Sequence, residues 1–328
     1  MSGFAKSVYR SSVVRVMPLP LRNFAAMVYD RSHLFIDTWI DARRYARFAT
    51  RPDSAFSPRM TGGNLEAQLV KDYHRIEKGL ALAHPRQPFG LEVRKRLVSL
   101  VPTASASDDP GVQTAAGFAN SAVAALDEWN SHGHVDEDIA PSAPDAGSFE
   151  FDLMDRFFES RHSLRNFDRE RPVTEETLSA AARWASRTPS VCNRQAGRVH
   201  VYQDRETIDR LLRLQAGNAG FGETVPTLIA FTVESKLFAG ANERNQRWID
   251  GALYAMTFNW ALHAVGVEGC MLNWSKPNGA SVSARKIGGI PDSEDIICLM
   301  AVGYPATGKV RVARSPRNSV SRYMTIHN

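Results

Sequence analysis

The segment RHSLRNF has the residue types and spacing of a phosphate-binding site. It holds Arg161, Ser163 and Arg165 at alternate positions. In an extended stretch alternate side chains point to the same side, so two guanidinium groups and one hydroxyl would share a face. Guanidinium groups donate paired hydrogen bonds to phosphate oxygens, which suits this face to a phosphate dianion. A solvated basic turn would have the same composition, and the segment alone does not separate the two interpretations.

A polar loop with the sequence PSVCNRQ follows further along the chain. Ser190, Asn193 and Gln195 come directly after Pro189. Hydroxyl and amide side chains of this kind both donate and accept hydrogen bonds, as contacts to a flat heterocycle require. Taken alone, the loop also fits an ordinary polar connection.

The elements that would position these residues divide the chain into two parts. Apolar residues recur at helical spacing over 24–48, 64–82 and 91–100. Asp109 followed by Pro110 indicates the N-cap of a further helix, which runs to about Trp129. Between 131 and 147 prolines, glycines and polar residues interrupt the pattern. We therefore predict a helical N-terminal region over 1–147, with a linker at about 131–147, and a second domain over 148–328.

The second part alternates between helical and strand patterns. Helices are predicted over 151–160, 174–186, 204–216 and 248–265, and strands over 198–203, 226–233, 269–274 and 296–302. The run 226–233 is apolar throughout, which is typical of a strand buried on both faces. Because 248–265 is apolar on nearly every side, we predict a central helix there rather than a surface helix. The pattern indicates a helix-flanked sheet.

In combination, these segments resemble the FMN-dependent nitroreductase family, whose members carry R-x-S-x-R-x-F followed by P-S-x-x-N-x-Q. The resemblance continues from about Phe149 to the C-terminus, through PTLIAFTV, DGA, LHAVGVEGCMLNW, GYP and SPR. It implies an α+β fold: a nitroreductase-like three-layer helix/sheet/helix domain with a mixed, mainly antiparallel sheet. An all-helical N-terminal region precedes this domain, similar to the extension in some bacterial nitroreductase-like proteins.

The same resemblance implies roles for individual residues. The RHSLR segment would bind the FMN phosphate and ribityl chain, and the PSVCNRQ loop would lie near the flavin ring. A backbone segment after the central helix would meet the reactive N5 edge, where Asn273 is the best candidate for a catalytic contact. The late SPR motif adds Arg317, but Ser315 stands where the family often has a second basic residue, so Arg314 is the alternative. The implied cofactor-binding set is Arg161, His162, Ser163, Arg165, Ser190, Asn193, Gln195, Leu272, Asn273, Trp274, Arg314 and Arg317.

The implied activity is ping-pong two-electron transfer from NAD(P)H through flavin N5 to a small organic acceptor, in a homodimer. A related flavin reaction is one alternative. Another is a flavin-binding or degenerate scaffold whose basic N-terminal helices dock to a membrane surface or a protein partner. The segment HRIEKGL, beginning at His74, is similar to one found ahead of nitroreductase-like domains in bacterial chains associated with cell-surface polysaccharide production.

Charge and composition limit the remaining classes. Of the 328 residues 43% are hydrophobic and 23% charged, which is ordinary for a globular protein. Residues 1–60 hold ten Lys or Arg against four Asp, so the net charge of +5 belongs to the N-terminus. This start fits a basic arm or a transit peptide. No apolar run is long enough for a membrane-spanning helix, and no recognisable module indicates nucleic-acid binding.

Several single residues are of types that occur in active sites, but we favour a structural role for each of them. The three cysteines lack the paired spacing of a metal site and favour a reducing, cytoplasmic compartment. Cys192 and Cys270 are expected to be small buried residues, and His263 a packed core histidine. His74, Glu77 and Lys78 share a helical face, which we interpret as solvated, with Gly79 ending the helix.

Overall fold

The chain folds into a group of helices followed by a helix-covered sheet. The structure is a computed structural model that describes residues 18–144, 147–308 and 310–327. Its helices are α1 (Leu19–Phe48), α2 (Gly62–Leu80), α3 (Leu91–Ser105), α4 (Pro110–His132), α5 (Phe151–Ser160), α6 (Glu175–Ala185), α7 (Arg205–Leu214), α8 (Gln246–His263) and α9 (Asn278–Gly288). Its strands are β1 (Gly197–Tyr202), β2 (Thr227–Glu234), β3 (Glu268–Asn273) and β4 (Glu294–Gly303).

Helices α2, α3 and α4 pack around one apolar core. Leu69 and Ile76 of α2, Leu97 of α3 and Leu126 of α4 are almost completely buried in it. A series of alanines on α4 lets this helix approach α2 closely, because each alanine adds only one carbon to the interface. The Asp109 side chain accepts from the amides of Gly111 and Val112, which confirms the predicted N-cap.

The strands form one four-stranded antiparallel sheet in the order β1-β2-β4-β3. Strand β2 lies in the interior of the sheet, and seven of its eight residues are buried, as its unbroken apolar pattern predicts. The recorded parallel pairing is an isolated bridge between Thr50 and Ala239, outside these strands. The prediction of a mainly antiparallel sheet is confirmed.

Helices cover both faces of the sheet. Helices α6 and α8 pack on one face, where Phe231 of β2 meets Phe258 of α8. Helices α7 and α9 pack on the other face, where Leu211 and Ala284 meet Leu299 of β4. The three-layer α+β architecture and the helical character of the N-terminal region are therefore confirmed.

Two sequence interpretations of helices are wrong. Gly79 does not end α2, which continues to Leu80; a Cβ at Gly79 would lie 2.3 Å from the Phe89 ring, so this glycine makes room for close packing. Helix α8 is not buried all round, because Trp248, Ile249 and Leu253 are 40 to 50% exposed. Its apolar residues pack on the sheet on one side of the helix and form an uncovered apolar face on the other side. Within the described ranges, no helix has the length and apolar character needed to cross a bilayer.

Candidate active site

The RHSLR segment is held in place by the apolar residues between its polar ones. It follows the end of α5 at Ser160 without regular structure. Leu164 is fully buried in the core, and Phe167 is buried and pairs with Pro305 in an antiparallel bridge. His162 donates from Nδ1 to the Ser160 carbonyl over 2.9 Å. This alternation fixes the backbone while leaving the polar side chains between the anchors accessible.

Arg161, Ser163 and Arg165 lie near Cys270 of β3. Burial raises the pKa of the Cys270 thiol, and the charge of Arg165, a hydrogen bond with Ser163 and the charge of Arg161 partly offset that effect. Cys270 itself is buried, as expected. Cys192 is only partly buried and adopts a positive φ of 49°, so the expectation of a buried residue is wrong for it.

His263 anchors the helix that leads into this segment. Its side chain is 8% exposed; its Nδ1 lies 2.8 Å from Glu268 Oε1, and its Nε2 lies 2.9 Å from Ser160 Oγ. These distances resemble a serine–histidine–acid triad. However, Nε2 also lies 3.1 Å from the Phe157 carbonyl, which can only accept a hydrogen bond. The Ser160 hydroxyl also donates to this carbonyl over 3.1 Å, so Ser160, His263 and the Phe157 carbonyl share their hydrogen bonds and the contact joins α5 to α8 and β3. His263 is the packed histidine that the sequence predicts.

The PSVCNRQ loop is a tight turn at the start of β1. Cys192, Asn193 and Gln195 all have positive φ, and the Gln195 amide donates to Ser190 Oγ over 3.0 Å. The amide of Val191 donates to Asp250 of α8 over 3.0 Å. Ser190 and Gln195 line a small cavity of about 130 Å³ beside Tyr254. The loop therefore presents polar groups that its own backbone holds in place.

Within one chain, the loop and the RHSLR segment lie at opposite edges of the sheet. The loop leads into Gly197 on β1, whereas the arginines lie near Cys270 on β3, and β2 and β4 lie between these strands. Three strand spacings correspond to roughly 14 Å. The single chain does not bring the two predicted groups together around one small ligand.

The end of β3 borders a large cavity. Leu272 is buried in the core, while Asn273 and Trp274 face the cavity. The Asn273 carbonyl accepts from Gln215 Nε2 over 3.1 Å, and Trp274 Nε1 donates to Ser281 over 3.0 Å. Gln215 is 4% exposed. Gln215 lies after α7 and outside every motif, so the sequence does not indicate it.

This cavity, which we call the α1 cavity, has a volume of about 1480 Å³. Its walls are the inner side of α1, the adjoining side of α8, the end of β3 and the start of α9. Nothing in the sequence of α1 indicated that this helix would border the predicted reactive segment. Arg314 and Arg317 are exposed in the segment 310–327, and within the described residues neither forms a hydrogen bond or ion pair with the RHSLR segment. In the same residues, no group of three or more His, Cys, Asp or Glu is placed to hold a metal ion.

Solved structures with a similar fold cover about half of this chain and nearly all of their own. An FMN-dependent nitroreductase from Clostridium difficile R20291 is 20% identical and covers 52% of this chain and 98% of its own, with a TM-score of 0.43. A nitroreductase with bound FMN from Desulfitobacterium hafniense DCB-2 is 21% identical and covers 55% and 100%, with a TM-score of 0.41. A nitroreductase family protein from Streptococcus pneumoniae TIGR4 is 16% identical and covers 53% and 100%, with a TM-score of 0.45.

The search of curated proteins finds no match. The model of the nitroreductase family matches residues 158–219 and 211–304. This range includes the RHSLR segment, the PSVCNRQ loop, the four strands and the segment ending in Asn273 and Trp274, in the order predicted from the motifs. Residues 158–304 of this chain therefore form a domain of the nitroreductase family.

Proposed function

We propose that the chain is an FMN-dependent oxidoreductase that transfers two electrons from NAD(P)H to a small organic acceptor in a ping-pong reaction. The observation that carries this proposal is the grouping of Arg161, Ser163 and Arg165 on one segment without regular structure, near Cys270. The strand that bears Cys270 ends at the α1 cavity. The basic cluster near Cys270 and the cavity at the end of β3 together match a ligand that has a phosphate group and a flat ring.

The residues present fit FMN by their chemistry. Two guanidinium groups and a hydroxyl match the charge and hydrogen-bonding capacity of a phosphate dianion. Neither arginine forms an ion pair with an acidic side chain in the described residues, so both forks are available to an anion. The cavity is also large enough for a three-ring heterocycle, since typical ligand pockets have volumes of about 300–1,000 Å³.

When bound, FMN would supply the two-electron chemistry, accepting hydride from NAD(P)H and passing the electrons to the acceptor. The chain would supply orientation. Arg161, Ser163 and Arg165 would hold the phosphate, while Gln215 fixes the backbone of Asn273 beside the ring edge. Trp274, held by Ser281, would exclude water from the same side.

A homodimer would complete the site. The PSVCNRQ loop lies at the far edge of its own sheet, so a second copy would have to contribute Ser190, Asn193 and Gln195. The exposed apolar face of α8 at Trp248, Ile249 and Leu253 offers a surface for that contact.

The test is flavin binding and reduction by the purified protein and by variants of the basic segment. Arg161→Gln and Arg165→Gln should each weaken FMN binding about 10- to 100-fold, because a hydrogen bond to a charged group contributes about 1.5–3 kcal/mol. Quenching of flavin fluorescence measures the affinity. Arg169→Gln, an exposed arginine just beyond the segment, is the matched control and should bind FMN as the wild type does.

The loss of visible flavin absorbance after NAD(P)H is added in the absence of oxygen measures the reduction of the flavin. A wild-type protein that takes up no FMN contradicts the proposal. Bound flavin that NAD(P)H does not reduce contradicts the enzymatic part and favours the scaffold alternative.

A further inference from the structure

Helix α2 of the N-terminal region packs directly on the PSVCNRQ loop. Ala67 of α2 is 1% exposed and shares one apolar cluster with Val191 of the loop and with Ala196, the residue that follows the loop. Phe238 of the nitroreductase domain and Tyr45 of α1 belong to the same cluster. The N-terminal helices therefore meet the domain at the loop that would lie near the flavin ring.

The loop has a backbone conformation that requires support from its neighbours. Cys192, Asn193 and Gln195 have φ values of 49°, 53° and 49°. Residues other than glycine are strained in this left-handed region, and they remain there only where the surrounding structure determines their conformation. The groups that pack on the loop therefore decide whether its polar side chains keep their positions.

Arg194 lies inside the loop and is 2% exposed. Its Nε donates to the Val191 carbonyl over 3.1 Å, and its Nη2 donates to Glu243 Oε2 over 2.7 Å. The same carboxylate accepts from the Ala239 amide. The guanidinium carbon lies 5.7 Å from the centre of the Phe238 ring. Because Arg194 is so deeply buried, its contacts fix the loop and do not reach a ligand.

The segment that carries Phe238 and Glu243 is itself attached to the end of α1. The Thr50 amide donates to the Phe238 carbonyl over 2.8 Å, and the Gly240 amide donates to the Thr50 carbonyl over 2.9 Å. Tyr45 donates to the Gly240 carbonyl over 2.8 Å. The N-terminal region thus supports the loop twice, directly through α2 and indirectly through the partners of Arg194.

We propose that the N-terminal helical region is a structural part of the FMN site, because it fixes the PSVCNRQ loop, with Ala67 and Arg194 as positioning residues. This inference rests on the proposed function. Ser190, Asn193 and Gln195 would contact the flavin only from the supported conformation of the loop. Since each loop would reach the flavin of the other copy, the N-terminal region of one chain would control the FMN affinity of its partner.

Enlarging the contact between α2 and the loop tests the proposal. Ala67→Leu should weaken FMN binding about tenfold, because over-packing displaces the backbone that it contacts. Ala119→Leu is the matched control, since Ala119 of α4 is 0% exposed in the core that the N-terminal helices form among themselves. That change should lower the free energy of unfolding in urea and leave FMN affinity, measured by flavin fluorescence, as in the wild type.

Hydrogen exchange in the FMN-free protein tests the support of the loop separately from the flavin. The amides of Val191, Asn193, Arg194 and Gln195 all donate hydrogen bonds in the folded loop. Ala67→Leu should speed their exchange about tenfold, because the loop opens more often, whereas Ala119→Leu should leave it unchanged. Faster exchange in Ala67→Leu, with a wild-type protein that takes up no FMN, would retain the support and reject the proposed function.

Two outcomes would overturn the proposal: loop exchange in Ala67→Leu that equals the wild type, or equal FMN affinities in Ala67→Leu and Ala119→Leu. If Ala67→Leu does not fold, Ala67→Val and Ala119→Val replace the pair, with the same expected direction. Arg194→Met should also weaken FMN binding. Arg194→Lys keeps a charge for Glu243 and should recover part of that loss, which a general loss of stability would not explain.

Discussion

Single side chains in this molecule connect the basic segment to elements distant in sequence. Helix α5 has no buried residue of its own. It is held by the rings of Phe157 and Phe158 against Trp260, and by the bonds of His263 to Ser160 and the Phe157 carbonyl. Arg161 is the next residue after α5, so the position of the first arginine depends on a histidine 102 residues further along the chain.

Removing His263 should therefore weaken FMN binding, although His263 acts through α5 and not by contact with the ligand. His263→Ala loses the bonds to α5 and leaves Glu268 without its partner, so we expect FMN affinity to fall about 3- to 10-fold. At saturating FMN, kcat should remain close to the wild-type value, since no reacting group is lost. Flavin fluorescence titration and steady-state rates measure the two effects.

His132→Ala is the matched control, because His132 forms an exposed pair with Glu128 at 3.1 Å, far from the basic segment. It should leave FMN affinity unchanged. A loss of kcat at saturating FMN in His263→Ala, with unchanged affinity, would contradict the positioning role.

At the scale of elements, a buried ionic cluster joins the N-terminal helices. Asp72 of α2 is completely buried and receives two hydrogen bonds from Arg96 of α3, at 2.8 and 2.7 Å. Arg75 and Gln68 donate to the same carboxylate over 3.0 and 2.8 Å. A carboxylate without water is stable here because four donors replace its hydration.

Asp72→Asn should destabilise the protein by about 3–5 kcal/mol, because it removes a completely buried carboxylate and leaves the partly buried Arg96 charge without its partner. The free energy of unfolding in urea measures the effect. Asp127→Asn is the control: Arg94 forms a similar paired contact with Asp127 between α3 and α4, at 2.5 and 2.7 Å, but both side chains are about 40% exposed. That change should cost less than about 1 kcal/mol. Equal losses of unfolding free energy in the two variants would contradict the expectation that burial makes the Asp72 cluster more important.

The elements themselves could be predicted from the sequence more completely than their environments. Helix and strand patterns depend on local periodicity, so the ends of α5 agree with the prediction at both residues and Asp109 is the N-cap expected. The exposed face of α8 and the inward polar face of α1 depend on which element packs where. Gln215 likewise acquires its contact with Asn273 only through the fold. Local sequence does not contain these distant pairings.

At the scale of the whole molecule, one chain carries two separated halves of the predicted cofactor site. The motif order predicted the RHSLR segment and the PSVCNRQ loop, yet the sheet places them at opposite edges. The chain also leaves apolar residues uncovered on α8, among them Leu253, which is 47% exposed. Both features have the same explanation if two copies associate through α8 and each loop reaches the basic segment of the other copy.

Leu253→Glu should separate such a dimer and also reduce FMN binding. A charge placed in an apolar interface has to lose its hydration without gaining a partner, which costs several kcal/mol. Light scattering after size-exclusion chromatography should show a wild-type dimer and a monomeric variant, and the variant should lose flavin affinity because the second loop is absent. Val282→Glu on α9 is the control, since Val282 is 58% exposed on the other helical layer. A Leu253→Glu monomer that binds FMN as tightly as the wild type would show that one chain holds the whole site, and a Val282→Glu monomer would place the interface on α9.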